Sequence, residues 1–165
     1  MDKYIGTLLG GRYEILEVLG VGGMAMVYKA RCRVLNRFVA IKILKEEFAQ
    51  DEEFRRRFYN ESQAVAKLSH NNIVSVYDVA HSDGIDYIVM ELIDGISLKE
   101  YLQKKGHLSR QETVFFAQQI ARALEHVSVF NASAYSAREI CSPAFAFSSS
   151  SAAVGVLFIC PSIML

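Results

Sequence analysis

Hydrophobic positions along the chain follow a period of two at first and a period of three to four later. From Arg12 to Gly20, Tyr13, Ile15, Glu17 and Leu19 alternate with Glu14, Leu16 and Val18 in a short β-branched and aromatic run that predicts a strand. It runs into Gly20-Val21-Gly22-Gly23-Met24-Ala25, where three glycines in four residues exclude a strand interior and predict a turn, with Met26 to Ala30 as the returning strand. Arg37 to Leu44 alternates strictly, Val39, Ile41 and Ile43 to one side and Phe38, Ala40, Lys42 and Leu44 to the other. Lys42 is thereby the one charge on an otherwise apolar face. From Asp51 to Leu68 the period becomes helical, with Phe54, Phe58, Val65 and Leu68 on one stripe. Asp51, Glu52 and Glu53 suit a helix N-terminus, and each stands four residues before one of Arg55, Arg56 and Arg57, which reads as a solvated, ion-paired face. Ile73 to Ala80 and Ile85 to Glu91 are two further strands, joined through His81-Ser82-Asp83-Gly84. Ser97 with Glu100, and Ser109 with Glu112, are capping boxes that open two helices. The first stops at Gly106, and the second carries Val114, Phe116, Ile120 and Leu124.

Composition divides this pattern into unlike pieces. The 165 residues, 52% hydrophobic and 22% charged, suffice for one ordinary domain with a buried core. Eighteen basic side chains balance eighteen acidic ones, which gives no electrostatic case for a nucleic-acid or anionic-membrane partner. Cys32, Cys141 and Cys160 form neither a disulfide framework nor a metal knuckle, so a reducing cytoplasm is expected, and the opening Met1-Asp2-Lys3-Tyr4-Ile5-Gly6 does not read as a secretory leader. Yet residues 1–126 hold 34 of the 36 charged side chains, while residues 127–165 hold only Arg138 and Glu139 together with both prolines and 9 of the 15 serines. Ala152 to Leu165 is apolar but interrupted by Gly155 and Pro161, and it falls short of the ~20 residues that span a bilayer, so no membrane association is expected.

Candidate chemistry gathers in the first piece. Glu61 lies three residues after Phe58 and four before Val65, which puts a carboxylate on the buried stripe of its helix, where it needs a cation. Lys42 is the cation facing inward. A glycine turn between antiparallel strands brings backbone N–H groups close to phosphates because no Cβ intervenes. An inward Lys on the next strand can reach the same phosphates, held by a Glu on the packed helix.

These motifs, in this order, resemble the N-lobe and the start of the C-lobe of a bacterial eukaryotic-like serine/threonine protein kinase. The likeness rests on Leu19-Gly20-Val21-Gly22-Gly23-Met24-Ala25-Met26-Val27-Tyr28 as the glycine-rich loop, Val39-Ala40-Ile41-Lys42 as the lysine strand, Glu61 on the following helix, Leu68 to Val74 as its link to the next strand, and Tyr87 to Gly95 as the last strand and hinge. Ala25 stands where the family usually has a third glycine. The resemblance implies an α+β fold, a five-stranded antiparallel sheet with one helix followed by a helical C-lobe stub. It divides the chain into residues 12–95, residues 96–126 and an atypical tail, 127–165. It implies an ATP site at Leu19, Gly20, Val21, Gly22, Gly23, Met24, Ala25, Val27, Ala40, Lys42, Met90, Glu91 and Ile93. Leu19, Val27 and Ala40 would sandwich the adenine, Met90 would be the gatekeeper, the backbone of Glu91 and Ile93 would bond the base, and Lys42 and Glu61 would form the catalytic ion pair.

The same comparison exposes a deficit. In this family the base that accepts the substrate proton and the Mg²⁺ ligands follow the helix that starts at Ser109. The sequence has no Asp after Asp94 and no His-Arg-Asp, Asp-Phe-Gly or Ala-Pro-Glu anywhere. The expectation is a truncated kinase domain that keeps a weakened ATP site, holds no Mg²⁺ and transfers no phosphoryl group by itself. Its alternative is a kinase-like module that docks on another protein kinase and regulates it. Asn131 is not expected to ligate metal, Glu139 is expected in solvent, and His126 is expected on the helix surface.

Overall fold

The computed structural model describes residues 2–135, apart from the side chains of Glu61 and residues 129–135. They divide into two compact units, residues up to Lys67 with Ser75–Ile93, and Leu68–Val74 with the helices that follow Asp94.

The first unit is a sheet of six antiparallel strands. They are β1 (Leu8–Leu9), β2 (Tyr13–Val21), β3 (Ala25–Cys32), β4 (Arg37–Leu44), β5 (Val76–Ser82) and β6 (Ile85–Met90), in the spatial order β1-β2-β3-β4-β6-β5. The alternation along β4 sorts the sheet into two faces. Val39, Ile41 and Ile43 lie across from Ala30, Tyr28 and Met26 of β3, and Ile41 and Ile43 lie across from Val89 and Tyr87 of β6. Together with Ile15 and Tyr13 they make the main core, in which Tyr28, Ala30 and Ile41 are 0% exposed. Burying each such side chain contributes on the order of 1.5–3 kcal/mol.

The sixth strand departs from the expected five. It is the two-residue β1, which pairs Leu9 with Tyr13 across a turn in which Gly10 and Gly11 take φ of +55° and +66°. That left-handed backbone costs glycine little and a β-carbon-bearing residue more. The segment before it is anchored too, because Asp2 accepts hydrogen bonds from the buried Tyr28 hydroxyl at 3.0 and 3.1 Å, and the Tyr4 ring meets that of Tyr28 edge-on at 5.8 Å. Burial, followed by the Asp2 hydrogen bond, pushes the Tyr28 phenol well above its ordinary value.

Two helices follow β4, the single turn α1 (Glu46–Ala49) and α2 (Glu52–Ala66). Asp51 caps α2 by accepting from the N–H groups of Glu53 at 2.9 Å and Phe54 at 3.4 Å. The helix buries Phe58, packs beside β5 and pairs Arg57 with Glu53 on its outer side. Arg55 differs from the expected solvated face. Besides Glu52, its Nε donates at 2.9 Å to Asp86 of β6, whose other oxygen lies 2.8 Å from His81 Nδ1. The β5–β6 hairpin turns at Asp83-Gly84, with φ of +56° and +75°, the twist that suits a two-residue connection.

In the second unit, α3 (Leu98–Lys105) opens on the predicted Ser97–Glu100 capping box and stops at Gly106, φ +87°. α4 (Arg110–Tyr135) opens with Glu112 N–H donating to Ser109 Oγ at 3.3 Å and Ser109 N–H to the Glu112 carboxylate at 2.8 Å. Phe116 is buried among Leu98, Tyr101, Leu108 and Ile120, whereas Val114 and Leu124 of the predicted stripe are about half exposed. Ile73 and Val74, predicted as strand, precede β5 and are buried in this unit beside Asn72, whose amide donates to Gln119 at 2.9 Å. His126 is not a free surface residue, because its half-buried ring stacks on His70 at 5.1 Å. Glu139 and the apolar stretch 152–165 lie outside the described residues, and Asn131 is described only as part of the α4 backbone. Among the described residues no helix is long and apolar enough to cross a membrane.

Candidate functional site

The face of the sheet opposite the core collects most of the predicted site residues. Residues directly across an antiparallel pair share a face, and so do residues two apart along a strand. Gly20 pairs with Val27, Val27 with Lys42 and Lys42 with Ile88, while Ala40 pairs with Met90 and Ala25 with Leu44. Gly20, Ala25, Val27, Ala40, Lys42 and Met90 therefore form one continuous surface from β2 to β6. Ala40, Met90 and Lys42 are each 6% exposed, so both the apolar part of that surface and the lysine are shielded from solvent.

Lys42 lies on the same side as α2, with its Nζ 6.0 Å from the centre of the Phe58 ring. Glu61 lies in the α2 backbone three residues after Phe58, on the neighbouring position of the same helix face. Its side chain lies outside the described residues, and with it the expected contact to Lys42.

The glycine turn is built from its own backbone. Gly22 N–H donates to the Ala25 carbonyl at 2.9 Å, closing the turn, and a Cβ on Gly22 would stand 3.1 Å from that oxygen, so glycine keeps the closure unstrained. At Gly20 and Gly23 a Cβ would meet nothing within 4 Å, which leaves the approach to the backbone open. Leu19 and Val21 are 48% and 69% exposed at the lip. Leu19 falls at one of two bulges in β2, the other at Leu16, where two residues of β2 oppose one of β3. These bulges break the strict alternation that the sequence pattern suggests for β2.

Sequence reading missed Lys45, the residue immediately after β4. Its Nζ donates to the Gly23 carbonyl at 2.8 Å and its backbone N–H to the Met24 carbonyl at 3.0 Å. The only signal was a second lysine three positions beyond Lys42. Beyond β6, Glu91 N–H donates to the Ser75 carbonyl at 2.9 Å, and the Glu91 carboxylate accepts from Ser75 N–H at 3.3 Å. The Glu91 N–H is therefore committed, and its carbonyl is the half of that backbone group left to face a base. A cavity of about 420 Å³, lined by Tyr4, Leu9, Leu44, Ala49 and Ile85 among others, includes none of the predicted site residues. Among the described residues no group of three or more His, Cys, Asp or Glu side chains is arranged to hold a metal ion.

Residues 13–131 match the protein kinase domain family, a match that runs past residue 126, where the motif resemblance ends. The chain is 49% identical over 122 residues to the serine/threonine-protein kinase PrkC of Bacillus subtilis, covering 74% of this chain and 19% of that protein. It is 42% identical over 132 residues to the serine/threonine-protein kinase PksC of Streptomyces coelicolor, covering 74% of this chain and 24% of that protein. The chain thus spans about a fifth of the length of the curated relatives it matches. Among solved structures, a point mutant of the PknI kinase domain of Mycobacterium tuberculosis aligns with a TM-score of 0.67 at 30% identity, over 77% of this chain and 52% of that one.

Proposed function

Because this chain belongs to the protein kinase domain family, we propose that its sheet unit binds ATP, in the cytoplasm, on the face that carries Lys42. The observation that carries the reading is the shared face. The register across β2, β3, β4 and β6 brings Gly20, Val27, Ala40, Lys42 and Met90 onto one surface, apolar toward Met90 and cationic at Lys42. That is the polarity of a nucleotide, base at one end and phosphates at the other.

In this reading Leu19, Val27 and Ala40 hold the adenine, with Met90 at its back and the Glu91 carbonyl and Ile93 backbone on its edge. The Gly20–Ala25 backbone surrounds the phosphates. Lys42 neutralises the α- and β-phosphates, and Glu61 orients Lys42 from α2. ATP, when bound, supplies a γ-phosphoryl group. This chain's own part is to bind and orient it. Without a catalytic Asp or a set of Mg²⁺ ligands after Asp94, transfer lacks the base and most of the charge stabilisation it needs. The family match ends at residue 131 while the sequence continues to 165 in a composition nearly free of charge, which supports the same conclusion.

Titrating the 165-residue chain with ATP tests both halves. Lys42→Ala is expected to weaken ATP about ten- to a hundredfold, the loss of a charge-assisted contact to phosphate. Labelled γ-phosphate is expected to stay on the nucleotide when Mg²⁺ and ATP are added. Autophosphorylation that disappears in Lys42→Ala overturns the non-catalytic half, and ATP affinity indifferent to Lys42→Ala overturns the site.

A further inference from the structure

We infer that Lys45 is a positioning residue for the glycine turn: it grips the two carbonyls at the turn's tip and so aims the tip's N–H groups at a phosphate. The inference rests on the ATP-binding reading above. Its geometric half stands independently.

One residue makes both contacts. Lys45 Nζ donates to Gly23 O at 2.8 Å, and Lys45 N–H donates to Met24 O at 3.0 Å. In an extended strand successive carbonyls point to opposite edges, so two in a row held by one neighbour mark a local departure from strand geometry. All peptide bonds among the described residues are trans, and in a planar trans peptide the N–H points opposite to the C=O. Holding the Gly23 and Met24 carbonyls toward Lys45 therefore turns the N–H groups of Met24 and Ala25 away from it. Successive N–H groups on one side of a turn make an anion-binding concavity.

The tether is held in place itself. The Lys45 side chain is only 26% exposed, and a Glu47 carboxylate oxygen stands 4.0 Å from its Nζ, so the ammonium is shared between that carboxylate and the Gly23 carbonyl. The Gly22 N–H to Ala25 O bond closes the turn from within, but it fixes neither the Gly23 nor the Met24 carbonyl. That orientation falls to Lys45. A lysine here also adds a positive charge beside the tip without occupying the space over Gly20 and Gly23, where an added Cβ meets nothing within 4 Å.

The experiment compares the full chain with Lys45→Met, which keeps the aliphatic stem, and Lys45→Arg, which keeps a donor. Amide hydrogen exchange without nucleotide reads the turn directly. Gly22, whose N–H closes the turn on Ala25 O, is expected to exchange about tenfold faster in Lys45→Met, which releases the Gly23 carbonyl, with Ile41 and Val89 unchanged and Lys45→Arg close to the parent. Calorimetry with ATP and with adenosine reads the consequence. Lys45→Met is expected to weaken ATP about fivefold and adenosine by less than about twofold, with Lys45→Arg restoring most of the loss. Unchanged exchange at Gly22, or an equal loss for adenosine and ATP, overturns the inference. If the parent chain binds neither nucleotide, the ATP-binding reading falls, and the exchange comparison alone upholds or overturns the tether.

Discussion

The sheet unit and the helical unit are built to different standards. In the sheet unit, Ile15, Tyr28, Ile41, Val89 and their neighbours share one core in which several side chains have no exposure at all. In the helical unit, α3 buries no residue, and among the described residues α4 buries Phe116, against four partly buried partners, and Ala123, with Ile73 and Val74 buried beside them in the chain that precedes β5. Val114, Phe115 and Leu124 of α4 are 48–49% exposed. Burial of apolar area is the main favourable contribution to folding, so among the described residues the first unit holds the larger share of it. Every predicted nucleotide contact lies in the first. The surface proposed to hold ATP therefore draws all of its named residues from the sheet unit.

Truncating a core side chain should separate the two units most widely. Ile41→Ala removes a side chain that is 0% exposed and lies across from both β3 and β6 neighbours, and it is expected to cost about 2–5 kcal/mol. Phe116→Ala is a bigger truncation on paper. Its partners are only partly buried and can close around the gap, so the cost is expected nearer ~2 kcal/mol and confined to α3 and α4. Residue-resolved hydrogen exchange under mild denaturant separates the two. If Phe116→Ala unprotects β3 and β4 as strongly as Ile41→Ala does, the units fold as one and the contrast is wrong.

How much of this was legible in the sequence follows the same division. The faces of β4 came directly from alternation, because a buried strand with one inward Lys leaves little freedom in register. Both capping boxes were readable for a similar reason, since Ser and Glu three apart satisfy each other's backbone groups locally. Contacts between residues distant in sequence were not readable. Arg55 looked like one of three solvated arginines, and only the fold brings Asp86 of the β5–β6 hairpin to it, across 31 positions. Lys45 acts through the carbonyl of Gly23, and a carbonyl carries no residue identity for a pattern to register. The two-residue β1 was too short for any period to appear, although Gly10-Gly11 was a turn signal. The bulges at Leu16 and Leu19 defeated alternation in β2, because an inserted residue resets which face the next one takes. His126 was read as surface because its partner, His70, is remote in the chain.

Acid acts on a carboxylate in each unit. In the sheet unit burial pushes the Asp86 carboxyl upward, but the hydrogen bonds from Arg55 and His81 outweigh it and hold the group below its ordinary value. In the helical unit Lys105 first, then Tyr101 and Ser109, hold Glu112 well below the usual carboxylate range. A carboxylate depressed in the folded state contributes stability above its unfolded value, near pH 4, and loses it as pH falls through the folded value. Both units are therefore expected to weaken below about pH 4. Asp86→Asn is expected to cost ~1 kcal/mol at neutral pH, a modest figure because Arg55 is 36% exposed and screened by solvent, and to flatten the acid limb of the sheet unit alone. An acid limb of the β-sheet circular dichroism transition that is unchanged in Asp86→Asn removes that carboxylate from the account.

The smallest expected effect is the most discriminating, because it applies the same chemical change to a helix in each unit. Asp51 caps α2 and Ser97 caps α3, each by a side-chain oxygen accepting from the first turn. Losing such a cap costs on the order of 1 kcal/mol in either case. The consequences should differ because the helices are held differently. α2 has fifteen residues, a buried Phe58 and the Arg55–Asp86 anchor to the hairpin, so Asp51→Ala should loosen only its first turn. α3 has eight residues and buries none of them, and helices shorter than about 12–15 residues are marginal unless packing holds them. Ser97→Ala should therefore speed exchange along the whole of α3, by about fivefold, while Asp51→Ala leaves the second half of α2 at the parent rate. Equal responses in the two helices would mean that α3 is held by packing as firmly as α2, and the contrast between the units would have to be drawn elsewhere than at their helices.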